Sequence, residues 1–431
     1  MRRIIGVWVV AAGLVASACG ATELGGQDVA TDSGSGPARP SVLSSGPYAG
    51  ALGSQTPLPR RRLGGLGGFG GVEPSVRRVG PVLQPSPPLP APSGPAMPGD
   101  EPSAQPNVFQ ATLLPTLSPA VADVPTRVYV PNSDAHTVSV IDPATLEVID
   151  RFPVGRVPHH VTPSWDLTKL YVNNTSGNSF SVIDPRSGRV TETLPVVDPY
   201  NLYFTPDGTK AIVVAERLQR LDYRNPQTWE LIKSVSVPWA GVDHLDFSAD
   251  GRYLLASCEF TGQVVKVDNE TMEVVGRANV GSLPIDVKVA PDGSVFFVAN
   301  QGRHGVSVID PERMSEIAFL PTGTGAHGLN YSRDTTRLFV SNRLAGSVSV
   351  IDVASREVVA TWKVGGSPDM LQVTPDGTQL WASNRYHGSV SVIDSSDGHV
   401  IKTIPTGAGA HGVSFFPQPG RFNVGHNGVY R

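Results

Sequence analysis

The chain has 431 residues, 40% of them hydrophobic and 17% charged, with 34 Lys and Arg against 38 Asp and Glu, a formal charge of -4 and a pI near 6.2. That balance argues against a nucleic-acid partner, and no basic face is apparent in the repeats. Cys19 and Cys258 are the two cysteines, too few for a disulfide framework.

Met1-Arg2-Arg3 followed by the apolar run Ile4 to Ala18 has the form of a secretory signal. It is too short for a membrane-spanning helix, which takes about 20 apolar residues. Val15-Ala16-Ser17-Ala18-Cys19-Gly20 resembles a bacterial lipobox, which makes Cys19 the lipidation site after cleavage. Ala16 stands where such boxes usually carry Leu, so simple cleavage at Ala16-Ser17-Ala18 competes with it. Both readings imply export, to the cell envelope as a lipoprotein or into the medium, with membrane contact only through a lipid anchor.

Residues 20 to about 125 are rich in Gly, Pro and Ser, densest in Pro at Pro85 to Pro98 and in Gly at Gly64 to Gly71. Such a composition cannot bury enough apolar surface to fold, and it reads as a disordered tether. Arg60-Arg61-Arg62 and Arg77-Arg78 are either solvated or contacts to anionic lipid or wall polymer.

From residue 126 the chain repeats. Val138-Ser139-Val140-Ile141-Asp142 returns at Phe180 to Asp184, Val306 to Asp310, Val348 to Asp352 and Val390 to Asp394, with neighbouring clean copies 42 residues apart. Degenerate copies at Leu221-Asp222 and Val267-Asp268 fill the gap, making seven units. Within each unit four short β-rich runs are separated by turn signals such as Pro375-Asp376-Gly377. The expectation is an all-β, seven-bladed β-propeller of four-stranded antiparallel blades over residues 126–417, with a tail at 418–431. The recurring aspartate has a catalytic reading, but Asp at a strand end more simply hydrogen-bonds the backbone of the following turn.

Tyr171-Val172-Asn173-Asn174, Tyr129-Val130-Pro131-Asn132, Phe339-Val340-Ser341-Asn342 and Trp381-Ala382-Ser383-Asn384, with the turns at Thr205 to Gly208, Ala290 to Gly293 and Thr374 to Gly377, resemble YVTN-type β-propeller repeat proteins. The resemblance implies the fold. It leaves function open, because similar propellers include non-enzymatic surface proteins as well as lactonases and lyases.

The first unit starts at Thr126 with a second strand; the matching first strand is His411 to Phe416, at the other end of the repeats. That run is expected to pair with Arg127 to Val130 and close the ring, removing two sheet edges. Cys258 occupies the register position of the repeat Asn; a small buried hydrophobe and a reactive thiol beside Glu259 are its two readings.

Strand direction alternates within a blade, which puts His136, His159, His160, His244, His304, His327, His387 and His411 on one face of the ring and leaves His399 and His426 off it. Aligned first strands place His159, Tyr200, Asp243, Ile285, His327, Asp369 and His411 in one layer, and His160, Asn201, His244, Asp286, Gly328, Met370 and Gly412 in the next. These positions should ring the mouth of the central channel.

The expected ligand-binding set is therefore His159, His160, Asp243, His244, Asp286, His327, Asp369 and His411, with Arg217, Arg343 and Arg385 following the second strands. His159, His327, Asp369 and His411, from consecutive blades, suit a divalent metal such as Zn, Cu or Fe, or acid–base work near neutral pH. The arginines suit a small carboxylate or phosphate, or serve only to neutralise Asp369. No nucleophile elbow, phosphate loop or Cys-x-x-Cys occurs in the repeats. The functional expectation is a binding or scaffold module engaging a small anion, a metal or a protein at this mouth. A lactonase- or lyase-like enzyme and a copper or other redox-metal handling protein are the alternatives.

Overall fold

The computed structural model describes residues 107–431. The signal, Cys19, the arginine runs and the tether up to residue 106 lie outside the described residues. Seven four-stranded antiparallel sheets form a seven-bladed propeller. Blades 2 to 7 take four consecutive strands each, within residues 158–195, 201–236, 242–279, 284–321, 326–363 and 368–405. Blade 1 combines Arg127–Asn132, Thr137–Asp142 and Glu147–Pro153 with Ser414–Phe416 as its inner strand. The closure pairs Arg127 with Phe416, Val128 with Phe415 and Tyr129 with Ser414, so the strand is shorter than the sequence suggested but in the expected place. First strands are buried along all or nearly all of their length, as in Pro284–Val289, whereas fourth strands such as Glu147–Pro153 alternate between exposed and half-buried positions.

The repeat builds the blade through two sets of contacts. Val348 and Val350 pack into an apolar cluster with Leu371, Leu380 and Ile393 of the next blade, each valine contributing roughly 1.5 to 3 kcal/mol. The serines between them satisfy a buried amide: Asn342 Nδ2 donates to Ser347 Oγ at 3.1 Å and Ser349 Oγ at 3.0 Å. Asn132, Asn174 and Asn384 do the same to the hydroxyls of their own third strands. The strand-end aspartates hold turns, Asp142 accepting from Ala144 N, Asp352 from Ser355 N and Asp394 from Ser396 N. Asp222 departs from this pattern, fully buried between Arg220 and Arg224. Cys258 is a buried member of the largest apolar cluster, and burial, with Asp243 nearby, pushes its thiol up to about 12.

Residues 107–125, which composition assigns to the tether, are instead packed on the ring. Val108 N donates to Pro291 O, the Phe109 ring lies 5.2 Å from that of Tyr331, and Val121 is fully buried with Tyr129 and Phe416. Their apolar side chains supply what the Gly/Pro average of the segment conceals. The tail is packed as well. Residues 421–431 fold back on themselves, Val424 N donating to Val429 O and Arg431 N to Phe422 O, and the resulting loop inserts among the inner strands. Asn423 N meets Trp165 O of blade 2, Val424 O accepts from Phe204 N of blade 3, and Arg431 Nη2 donates to Asp246 Oδ1 of blade 4 at 2.6 Å. Gly425 is required there: a Cβ would sit 2.0 Å from the Tyr203 ring.

Candidate functional site in the central channel

A shared bulge aims side chains into the channel. In blades 2, 4, 5, 6 and 7 the first-to-second strand register shifts at one place, so two residues of the first strand oppose one of the second. The bulged pairs are His159-His160, Asp243-His244, Ile285-Asp286, His327-Gly328 and Asp369-Met370. A second-strand serine bridges the gap in three blades. Ser257, Ser341 and Ser383 accept from the N–H groups of His244, Gly328 and Met370, and donate to the carbonyls of Ile285, Asp369 and His411 of the next blade. Gly328 is held by close approach, since a Cβ would meet Asp369 O at 2.4 Å.

Asp369 organises one half of the cluster. Its Oδ1 accepts from Arg343 Nε at 2.7 Å and lies 3.1 Å from His327 Nδ1, and its Oδ2 lies 2.9 Å from His411 Nδ1. Arg343 also touches His327 Nε2, and Arg385 touches His411 Nδ1. Burial would raise the Asp369 carboxyl, but Arg343 and the two imidazoles outweigh it and hold it well below the usual carboxylate range. Burial, then Arg343, holds the His327 imidazole well below its ordinary range; burial, with help from Arg385 and against Asp369, does the same to His411. His159 packs its ring 4.6 Å from that of His411 and 4.7 Å from that of Tyr200, and burial lowers it too.

The other half centres on His160 and His244, whose rings lie 5.3 Å apart. Burial, then His244, lowers His160 to about 3. At His244 burial is outweighed by Asp243, whose Oδ1 lies 2.7 Å from Nδ1, and the imidazole is raised. Asp286 accepts from Val287 N on Oδ1 and from Leu329 N on Oδ2, both at 2.9 Å, and burial raises it.

The sequence placed His426 off this face, yet the tail carries it into the same cluster from below. Its ring lies 5.1 Å from that of His244 and 5.6 Å from that of His160. Its neighbour Asn427 accepts from His160 Nδ1 at 3.0 Å. Glu216 and Glu259 were also outside the expected set. Burial, then Asp243, pushes both up to about 8, so they carry protons at neutral pH.

The channel thus brings together His159, His160, Asp243, His244, Asp286, His327, Asp369, His411, Arg343 and Arg385. It does not gather Arg217, which pairs with Asp198 at 2.6 Å and donates to Thr175 O. His136 and His304 stay in their own loops, on Ser133 O and Gln301 O, and His387 meets Ser367 Oγ of the adjacent loop. His399 is a surface residue beside Asp397.

Solved structures with this architecture have varied occupations. Hydrazine synthase from Kuenenia stuttgartiensis matches at a TM-score of 0.53 and 20% identity over 59% of this chain and 88% of that one. Dihydro-heme d1 dehydrogenase NirN, in complex with DHE, matches at 0.52 and 17% over 66% and 74%. A functionally unknown protein from Desulfotomaculum acetoxidans DSM 771 matches at 0.57 and 16% over 67% and 98%. At these identities the likeness is one of fold alone. No curated protein sequence matches the chain. The family model of the YNCE-like beta-propellers matches residues 96–419, and the chain, with its seven four-stranded blades, belongs to that family.

Proposed function

We propose that the protein is an exported, lipid-anchored binding module that takes a small organic anion at its channel mouth. One observation carries the reading: Arg385 is half-buried against His411 and forms no ion pair with a carboxylate among the described residues, whereas Arg343 is committed to Asp369. A planar guanidinium beside neutral imidazoles favours a carboxylate or phosphate, which it can bind through two parallel hydrogen bonds. The protonated Glu216 and Glu259 and the Tyr200 hydroxyl, whose pKa burial raises further above the ordinary tyrosine range, supply further donors across the mouth. The signal and the lipobox-like Val15 to Gly20 support export and anchoring; radiolabelled palmitate incorporation abolished by Cys19→Ser is the matching test.

Inorganic phosphate, succinate and citrate serve as probes in calorimetric and thermal-shift titrations. At least one should bind saturably, with affinity weakened about tenfold or more in Arg385→Gln. Wild-type protein indifferent to all three, or an Arg385→Gln variant binding equally well, overturns the anion reading.

A catalytic reading has an observation of its own. Asp369 lies against Nδ1 of both His327 and His411, and His411 Nε2 has no protein partner, the arrangement of an oriented acid–base imidazole. Hydrolysis of a lactone panel that disappears in a folded His411→Ala variant would favour it; no turnover by the wild type would remove it.

A further inference from the structure

We propose that the floor of the channel is a site for one divalent transition-metal ion of the zinc class, held by His244, Asp286 and the tail residue His426. The site lies beneath the Arg343–Asp369 cluster and stands independently of the anion-binding reading.

The three side chains each offer a ligand atom, and these atoms all lie within 4.8 Å of one another. All three residues are buried. His426 Nε2 lies 3.9 Å from Asp286 Oδ1, beyond hydrogen-bond reach, so the two groups face each other without satisfying each other. With Zn–N bonds of about 2.0–2.1 Å, two imidazoles on a tetrahedral ion hold their ring centroids roughly 5 Å apart. The His244 and His426 rings are 5.1 Å apart, and His160 completes a triangle at 5.3 and 5.6 Å as an adjacent nitrogen donor.

The nitrogens are oriented as ligands are. Asp243 Oδ1 lies 2.7 Å from His244 Nδ1, and His244 Nε2, on the opposite side of the ring, has no hydrogen-bond partner. Asn427 Oδ1 accepts from His160 Nδ1, which leaves its Nε2 with a lone pair and no partner. His426 Nδ1 is equally unpartnered. Buried polar atoms are normally paired, and a carboxylate or amide oxygen behind the imidazole, as at His244 and His160, is the usual outer shell of a metal-binding histidine. Two imidazole nitrogens with one carboxylate oxygen match the ligand types that zinc and its neighbours prefer over magnesium or calcium.

His426 comes from the C-terminal loop and the other two ligands from the inner strands of blades 4 and 5. Metal binding would therefore fasten the tail into the ring. The test uses the full chain, stripped with a chelator, reloaded with Zn(II) and desalted. About one zinc per chain should remain, Co(II) should give the visible absorption of a four-coordinate site, and the melting temperature should rise on loading.

His426→Gln should weaken binding about a hundredfold or more, and Asp243→Asn, behind His244, about 10- to 100-fold. His399→Gln, in the exposed Asp394, Asp397 and His399 group, should leave binding unchanged. X-ray absorption on the wild type needs no variant to fold and should report at least two imidazoles. Failure of the wild type to retain zinc, an all-oxygen shell, or His426→Gln binding like wild type overturns the proposal.

Discussion

The ring of His426, five residues before the last residue of the chain, packs 5.1 Å from that of His244 on the innermost strand of blade 4. The tail is therefore part of the propeller's core rather than an appendage. Phe422, Val424, Val429 and Tyr430 are all buried with it.

Removal of residues 419–431 should destabilise the domain. Four buried side chains at about 1.5 kcal/mol or more each suggest a loss of roughly 6 kcal/mol and a melting temperature lower by on the order of 10 °C. Gly425→Ala should reproduce part of this through its clash with Tyr203 alone. Differential scanning calorimetry decides, and a truncated chain that melts with the wild type would show the tail to be dispensable.

The Arg343–Asp369 pair should behave as a buried charge compensated by its partner. Arg343→Ala leaves Asp369 uncompensated among neutral imidazoles and should cost about 3–5 kcal/mol in urea unfolding. Asp369→Asn combined with Arg343→Met removes both charges and should recover much of that. Additive losses in the double variant would mean that the two side chains act separately.

How much of this was legible follows from where periodicity reaches. The Val-Ser-Val-Ile-Asp register fixed blade number, ring closure and the face of His159, His244, His327 and His411, because each of those depends only on position within a repeat. The bulge was not legible as such, although it is why two adjacent residues per blade, as at His159-His160, enter the channel rather than one. Arg217 occupies the same place after its second strand as Arg343 and Arg385, yet blade 3 supplies Asp198 and draws it aside. His426 lies beyond the last repeat, where no register applies. Its one signal was the glycine bracket Gly425-His426-Asn427-Gly428, a pattern that demands close backbone approach without saying to what.

The serines of the repeat make a separate prediction. Asn384→Ala removes donors from Ser389 and Ser391 at 3.3 and 2.9 Å inside a buried blade and should cost about 1–3 kcal/mol. Asn300 donates instead to Val280 O, and Gly305 stands where the repeat has its first serine. Ser389→Gly in the Asn384→Ala background should therefore add little. Equal and additive losses, measured by urea midpoint at constant slope, would refute the pairing.

Stability should peak near pH 6.5. His159, His160, His327, His411 and His426 are held below their ordinary value of 6.5, chiefly by burial, so they are neutral in the fold and gain protons on unfolding in acid. Glu216 and Glu259, pushed up to about 8 from an ordinary 4.5, work in the opposite sense, holding protons that the unfolded chain releases. Between about pH 4.5 and 6.5 the unfolded chain thus binds up to five more protons on histidine and two fewer on glutamate, a net of three. At about 1.4 kcal/mol per proton per pH unit, stability should fall by up to roughly 4 kcal/mol for each unit of acidification. Above 6.5 the histidines of the unfolded chain are neutral, while the fold still holds the two glutamate protons and a raised His244, so stability declines again toward pH 8. Urea midpoints on chelator-treated protein across pH 5 to 8.5 should trace this maximum, and Glu216→Gln with Glu259→Gln should flatten the alkaline limb and, by removing the two offsetting protons, steepen the acid limb. A flat or monotonic profile would show that the channel histidines and glutamates are not held in these protonation states.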